Sequence, residues 1–180
     1  MEPEAVWAEV RRLSGDVPLT VSISGGNPAI QDFAPVIALG RAEGYRFACE
    51  TQGSIARPWF SDLDTLVLSP KPPSSGETVD WDAFIECIEA GQGAGRVVMK
   101  IVVFDEVDLA WAREAAARHP ELALFLQPGN PEVDPRLPVD PQRLADRMLW
   151  LVERTAGAGW FAPRILPQLH VLIWGNKRGV

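Results

Sequence analysis

The sequence predicts an α/β domain built on a mainly parallel sheet, and three observations carry that reading. Short β-branched or apolar runs alternate with helical patterns along all 180 residues. Most of those runs are continuously apolar, as expected where helices cover both faces of a sheet. Strand–helix–strand order then specifies parallel pairing with right-handed crossovers. A chain of this length suits one domain, and at 47% hydrophobic and 23% charged residues it can bury a core without disulfide or structural metal.

The elements follow in order. A first helix over Pro3–Leu13 has proline suited to its opening turn and Val6, Val10 and Leu13 on one face. Leu19–Ser24 is the first strand. A second helix over Phe33–Glu43 has Asp32 as its cap and ends at Gly44. Strands over Arg46–Thr51 and Thr65–Ser69 come next. Asp80 caps a helix over Trp81–Ala90, with Phe84, Ile85 and Ile88 as its buried stripe. Val97–Val103 is a strand, Asp105–Arg118 a helix and Ala123–Gln127 a strand. In the helix over Pro141–Thr155, Leu144, Met148, Leu151 and Val152 recur at helical spacing, and a short strand over Arg164–Leu166 closes the series. Trp81, Trp111 and Trp150 fall at helix spacings and read as core, whereas Trp174 stands near the end, placed to cover a ligand.

Charge and cysteine content narrow the function. A net charge of −7 argues against a broad nucleic-acid-binding face. No apolar run approaches the ~20 residues of a membrane span, so a cytoplasmic protein is expected. Cys49 and Cys87 lie far apart in apolar settings and form neither a disulfide framework nor a metal-ligand pair.

In parallel α/β proteins ligands sit at the carboxyl ends of the strands, where loops converge and helices present their amino ends. The segments there are Ser24-Gly25-Gly26-Asn27-Pro28, Glu50-Thr51-Gln52-Gly53, Ser69-Pro70-Lys71, Gln127-Pro128-Gly129-Asn130 and Pro167-Gln168-Leu169-His170. Two glycines let a backbone approach a ligand closely, although a lone Gly-Gly is more often a tight turn. Glu50 can accept from the amino group of a heterocycle or can be an exposed loop acid. Prolines hold Ser69 and Lys71 in an extended exit, where the lysine meets a carboxylate or a ribose or is merely solvated. Lys100, inside an apolar strand, points inward at an anion or stands at an edge position from which it snorkels out, the inward reading being the one favoured. His119 reads as a surface residue, and period two places His170 beside Gln168.

Taken together, the segments TVSISGGNP (20–28), ETQG (50–53), LSPKP (68–72), MKIVV (99–103), LQPGN (126–130) and RILPQLHVLIWGNKRGV (164–180) resemble one family, the radical S-adenosylmethionine enzymes named 7-carboxy-7-deazaguanine synthase. The resemblance implies an open, abbreviated parallel barrel. It implies conversion of 6-carboxy-5,6,7,8-tetrahydropterin to 7-carboxy-7-deazaguanine with loss of ammonia, on the route to queuosine and other deazapurines. The implied cofactors are S-adenosyl-L-methionine, a 4Fe-4S cluster and Mg²⁺, with an electron donor such as flavodoxin and a homodimeric assembly.

Carried over by position, Gly25 and Gly26 resemble contacts to the methionyl end of S-adenosylmethionine. Ser69, Pro70 and Lys71 resemble the segment at its ribose and carboxylate, and Gln127, Pro128, Gly129 and Asn130 the loop beside its adenosine. Ser24, Glu50 and Val180 resemble pterin contacts. One departure is plain. The family holds its cluster on three cysteines ahead of the segment matching Pro3–Leu13, together with the hydroxyl for Mg²⁺, and this chain has no such loop. It is therefore expected to be the carboxyl-terminal portion of such an enzyme, with a first strand missing, Leu19–Ser24 left at a sheet edge, and no activity as it stands. The competing readings are a cluster-less binding module and one half of a split protein.

Overall fold

The computed structural model describes residues 2–132, 134 and 136–177. Six strands follow one another across the sheet in the order in which they occur in sequence. They are β1 (Thr20–Ile23), β2 (Arg46–Thr51), β3 (Thr65–Leu68), β4 (Val97–Val103), β5 (Ala123–Pro128) and β6 (Arg164–Ile165). Pairing is parallel for β1 with β2, β2 with β3, and β5 with β6. The helices between them are α1 (Pro3–Ser14), α2 (Ala34–Ala42), α3 (Trp81–Ala90), α4 (Glu106–Arg118), α5 (Pro141–Gly157) and α6 (Leu169–Trp174). This is the α/β class that the sequence predicts. The chain divides into two compact units, the first running to Pro70 and including Val79–Val98, the second comprising Lys71–Thr78 and everything from Met99.

In the first unit, β1, β2 and β3 pack under α1, α2 and α3. Phe47, Phe60, Leu66 and Phe84 are fully buried, with both thiols, Cys49 and Cys87, among them. Gly40 lets α2 lie close to this core, since a Cβ there would stand 2.4 Å from the Phe47 ring. The buried faces differ from those the sequence suggests. On α1 the inward residue is Trp7, whose indole N–H donates to Glu43 at 2.9 Å, while Leu13 is 71% exposed. On α3 the buried pair is Phe84 and Cys87, and Ile85 faces solvent. The aromatic cross-packing of Trp7 on Tyr45, ring centroids 4.7 Å apart, selects the first of these faces. β1 stands at one end of the strand order, so the edge expectation holds among the described residues.

The second unit is built on the remainder of β4 with β5 and β6. Ile101, Val103, Leu126 and Leu151 are buried there, with Ala112 and Ala115 giving α4 a close approach. Asp105 and Asp140 cap α4 and α5 by accepting from backbone N–H groups of their first turns. Four expectations fail. Leu169–Trp174 is helix, with Gln168 at its N-cap, so Gln168 and His170 do not share a strand face. His119 is buried at 8% exposure, its Nδ1 lying 3.3 Å from a Glu121 carboxylate oxygen. Trp81, Trp111 and Trp150 are half-buried rather than core, and Val152 is exposed. No helix of the described residues is long and apolar enough to cross a membrane.

Candidate functional site

In the first unit the sequence-predicted residues gather at the carboxyl ends of three adjacent strands. Ile23 is paired with Cys49, so Ser24, just past β1, and Glu50, near the end of β2, stand on neighbouring strands one position beyond that pair. Thr51 is paired with Leu68, and the backbone N–H of Ser69 continues that ladder by donating to the Thr51 carbonyl at 2.7 Å. Ser69 and Pro70 are buried, Glu50 is half-buried, and Ser24, Gly25 and Gly26 are exposed.

Gly25 and Gly26 both have positive φ, at 92° and 53°, and a Cβ at either would meet nothing within 4 Å. Glycine is needed here for the turn itself. The same turn leaves two consecutive backbone units facing open space.

Asn27 fixes this turn. Its side-chain carbonyl accepts from the Thr51 hydroxyl at 2.7 Å and from the Ala29 N–H at 3.3 Å, while its amide donates to the Ser54 hydroxyl at 3.1 Å. Gln52 donates to the same Ser54 hydroxyl at 3.0 Å. Arg57 donates to the Ala29 carbonyl, holding the 3-10 turn over Pro28–Ile30. The loops after β1 and β2 are thereby tied together by side chains that the motif reading left without a role. Hydroxyl residues on both sides of Gln52, Thr51 one position before and Ser54 two after, were the available signal.

In the second unit, Gln127 and Pro128 end β5, and Gly129 and Asn130 follow. The Gly129 N–H donates to the Val103 carbonyl at 2.8 Å, and the Gln127 amide donates to the Pro167 carbonyl at 2.9 Å. Gly129 lies against the Phe104 ring, where a Cβ would come within 2.5 Å. Arg147 of α5 secures this turn, donating to the carbonyls of Gly129 at 2.6 Å and Phe104 at 2.8 Å. Burial, reinforced by the charge of Arg143, lowers its pKa from the usual arginine value. Both amide hydrogens of Asn130 are engaged by the Glu132 and Asn176 carbonyl groups.

Lys71 is half-buried on the segment whose Ser74 is held by Asp108, a fully buried carboxylate that accepts from Ser74 N, Ser74 Oγ and Phe104 N at 3.0, 2.6 and 2.9 Å. Lys100 is half-buried in β4, between the buried Met99 and Ile101. Val180 lies outside the described residues.

Comparison with known proteins decides the family. A protein from Bacillus subtilis named 7-carboxy-7-deazaguanine synthase is 37% identical over 189 residues, which is 100% of this chain and 76% of that protein. One of the same name from Bacillus cereus is 36% identical over 185 residues, with the same shares covered. The chain belongs to the 7-carboxy-7-deazaguanine synthase family.

The crystal structure of QueE from Escherichia coli matches with a TM-score of 0.60 at 22% identity, over 93% of this chain and 64% of that one. Likeness at that identity speaks for the fold. No protein-family model matches the chain. This member of the 7-carboxy-7-deazaguanine synthase family thus spans about three-quarters of the two Bacillus relatives and 64% of the solved QueE chain.

Its two thiols lie in the buried core of the first unit. Cys49 and Cys87 are both buried and unbridged. Burial pushes the Cys49 thiol up to about 12 and, with the nearby Glu50 charge, disfavours its thiolate. Burial pushes Cys87 up to about 11 despite a hydrogen bond from the Ile55 backbone. No group of three or more His, Cys, Asp or Glu side chains able to hold a metal ion occurs among the described residues.

Proposed function

We infer that the chain supplies the S-adenosylmethionine- and pterin-binding part of a 7-carboxy-7-deazaguanine synthase. In that family's reaction, 6-carboxy-5,6,7,8-tetrahydropterin becomes 7-carboxy-7-deazaguanine with loss of ammonia. The reading is carried by the Gly25–Gly26 turn, where two consecutive positive-φ residues leave backbone groups open at the carboxyl end of a parallel strand. A methionyl carboxylate or amine is the kind of polar group that such a backbone recognises without a competing Cβ.

The remaining assignments carry the family resemblance over, residue by residue. In the first unit, Ser24 and Glu50 stand one position beyond the Ile23–Cys49 pair of adjacent strands, where a hydroxyl and a carboxylate meet one pterin edge. Glu50 accepts from its amino or ring N–H groups, and Ser69 and Pro70 contribute to the ribose contact. In the second unit, Lys71 offers a cation to a carboxylate, and the Gln127–Asn130 turn supports the adenosine. The resemblance also carries a pterin contact over to Val180.

S-adenosylmethionine fits these residues. The 4Fe-4S cluster does not. Iron at such a cluster is held by thiolates, and the resemblance implies three cysteines where this chain has two, both buried with the thiolate form disfavoured. Mg²⁺ likewise finds no ligand group among the described residues. The chain's own residues therefore bind and orient, and radical generation from S-adenosylmethionine depends on a cluster held by other residues, with an electron donor of the flavodoxin type.

Calorimetric titration of the chain with S-adenosylmethionine, then with 6-carboxytetrahydropterin, tests this reading. Saturable binding of both is expected, with Gly25→Val and Glu50→Gln weakening the first and second ligand respectively. Absence of binding by a folded chain would overturn it.

A further inference from the structure

We propose that a cleft at the amino ends of β5 and β6 is a further ligand site, which takes an anion carrying an aromatic ring, of the size of a nucleoside monophosphate. The cleft lies wholly within the second unit, at the opposite end of β5 from the Gln127–Asn130 turn. It therefore stands apart from the S-adenosylmethionine and pterin assignments.

The way the flanking elements stop fixes its walls. α4 ends at Arg118, and the chain turns through Pro120 into Ala123, the first residue of β5. On the other side α5 ends at Gly157, and Gly159 turns the chain with φ of 64°. The Trp160 N–H then donates to the carbonyl of the buried Thr155 at 2.9 Å, which holds Trp160 and Phe161 at the entry to β6. Between these walls lies a space of about 930 Å³, within the range of small-molecule sites.

Two arginines line it, and aromatic rings hold both. The Arg113 guanidinium carbon lies 5.5 Å from the centre of the Trp160 ring, and that of Arg164 lies 5.4 Å from the ring of Phe125, its partner across the β5–β6 pairing. Stacking of this kind fixes a guanidinium while leaving its N–H edge for an anion. Among the described residues neither has a carboxylate partner. The acid among the described lining residues is Glu121, whose carboxylate lies 3.3 Å from His119 Nδ1. Two full cations against that carboxylate and the roughly half negative charge at the end of α4 leave the cleft positive. A phosphate is the group that two such planar forks recognise.

A bare phosphate would leave most of the space empty. Much of the remaining lining is apolar, with Ala116, Ala117, Leu122 and Pro163 beside Phe161, which is 79% exposed. An open ring next to a positive edge is a platform on which a planar heterocycle stacks. Phosphate on the arginines and base on Phe161 together describe one ligand.

The test is calorimetry on the full chain with GMP, guanosine and inorganic phosphate. GMP is chosen because its base differs from the adenine of S-adenosylmethionine. Saturable one-to-one binding of GMP is expected, with guanosine and phosphate each at least about tenfold weaker, since each lacks one half of the recognition. Arg113→Gln and Arg164→Gln should each weaken GMP about tenfold. Phe161→Ala should weaken GMP by about as much and leave phosphate binding unchanged. It alters a mostly exposed side chain, so it serves if an arginine variant does not fold. Saturating S-adenosylmethionine should change GMP affinity by less than about twofold.

A folded chain that binds no GMP overturns the inference. So does GMP binding that survives all three substitutions, or that S-adenosylmethionine displaces, because the nucleotide then sits elsewhere. Guanosine or phosphate binding as tightly as GMP overturns it too, because one half of the recognition then plays no part.

Discussion

The Thr51 hydroxyl at the end of β2 donates a 2.7 Å hydrogen bond to the Asn27 side-chain carbonyl in the turn after β1. Thr51 is 2% exposed, so the bond forms away from water and joins two strand-end loops without any ligand. Asn27 also reaches Ser54, which makes the Gly25–Gly26 turn part of a hydrogen-bonded shelf rather than a loose connection. Preorganisation of this kind lowers the ordering cost that a ligand must otherwise overcome.

Replacing Thr51 by valine keeps the shape and removes the donor. A neutral hydrogen bond contributes about 1 kcal/mol, so a drop in stability of about 1–2 kcal/mol is expected in chemical denaturation. Affinity for S-adenosylmethionine should fall about three- to tenfold, the equivalent of 0.7–1.4 kcal/mol of lost preorganisation. Thr51→Ser should restore both, because the hydroxyl returns. Unchanged affinity in the valine variant would show that the shelf does not serve the ligand.

The buried thiols give stability an alkaline limit. Their folded pKa values, about 12 for Cys49 and about 11 for Cys87, lie above the ordinary 9.0. Below pH 9 both are protonated whether the chain is folded or not, and they add no pH dependence. Above it the unfolded chain loses these protons and the folded chain retains them, so stability falls as pH rises from about 9 through 11 and 12. Each thiol contributes a slope of up to about 1.4 kcal/mol per pH unit in that window. Denaturation midpoints followed from pH 8 to 11 should decline less steeply for Cys49→Ala than for the unmodified chain. Parallel curves would mean that Cys49 ionises as readily folded as unfolded.

Those thiols also decide an iron experiment. Anaerobic reconstitution of the chain with iron and sulfide should give no brown colour and no 4Fe-4S absorption, because two buried cysteines with disfavoured thiolates cannot ligate a cluster. A stoichiometric cluster on the isolated chain would refute this account of its cysteines.

Local signals explain what the sequence made legible. The bounds of β2, β4 and α3 can be read directly, because a continuous apolar run or an Asp80 cap marks each within a few residues. The strand-end motifs fall at the carboxyl ends of their strands for the same reason. Features decided by distant neighbours were not legible. Trp7 turns inward because Tyr45, Phe47 and Glu43 receive it, and nothing within α1 distinguishes that face from the one bearing Leu13. The helix over Leu169–Trp174 was masked by the apparent alternation of Gln168 and His170, with only Val171 buried along it. Asn176 accepts a hydrogen bond from Asn130, 46 residues away, a contact no local pattern announces.

Asp108 shows the same limit and yields the last prediction. Its position in the first turn of α4 reads as an ordinary favourable charge near a helix amino end. In the fold it is 0% exposed and accepts from Ser74 N, Ser74 Oγ and Phe104 N, which anchors the segment that carries Lys71. Asparagine at 108 has nearly the same shape, but its NH₂ must face one of these donors in either orientation. A buried donor left facing a donor costs about 1–3 kcal/mol, more than the loss of one good bond. Ser74→Ala removes only the hydroxyl and keeps the backbone bond, so it should cost about 1 kcal/mol. The expected order in thermal melting is therefore unmodified chain, then Ser74→Ala, then Asp108→Asn as the least stable. Because Lys71 leans on this anchor, both variants should also weaken S-adenosylmethionine binding in that order. If Asp108→Asn melts with the unmodified chain, the carboxylate is not what holds the segment.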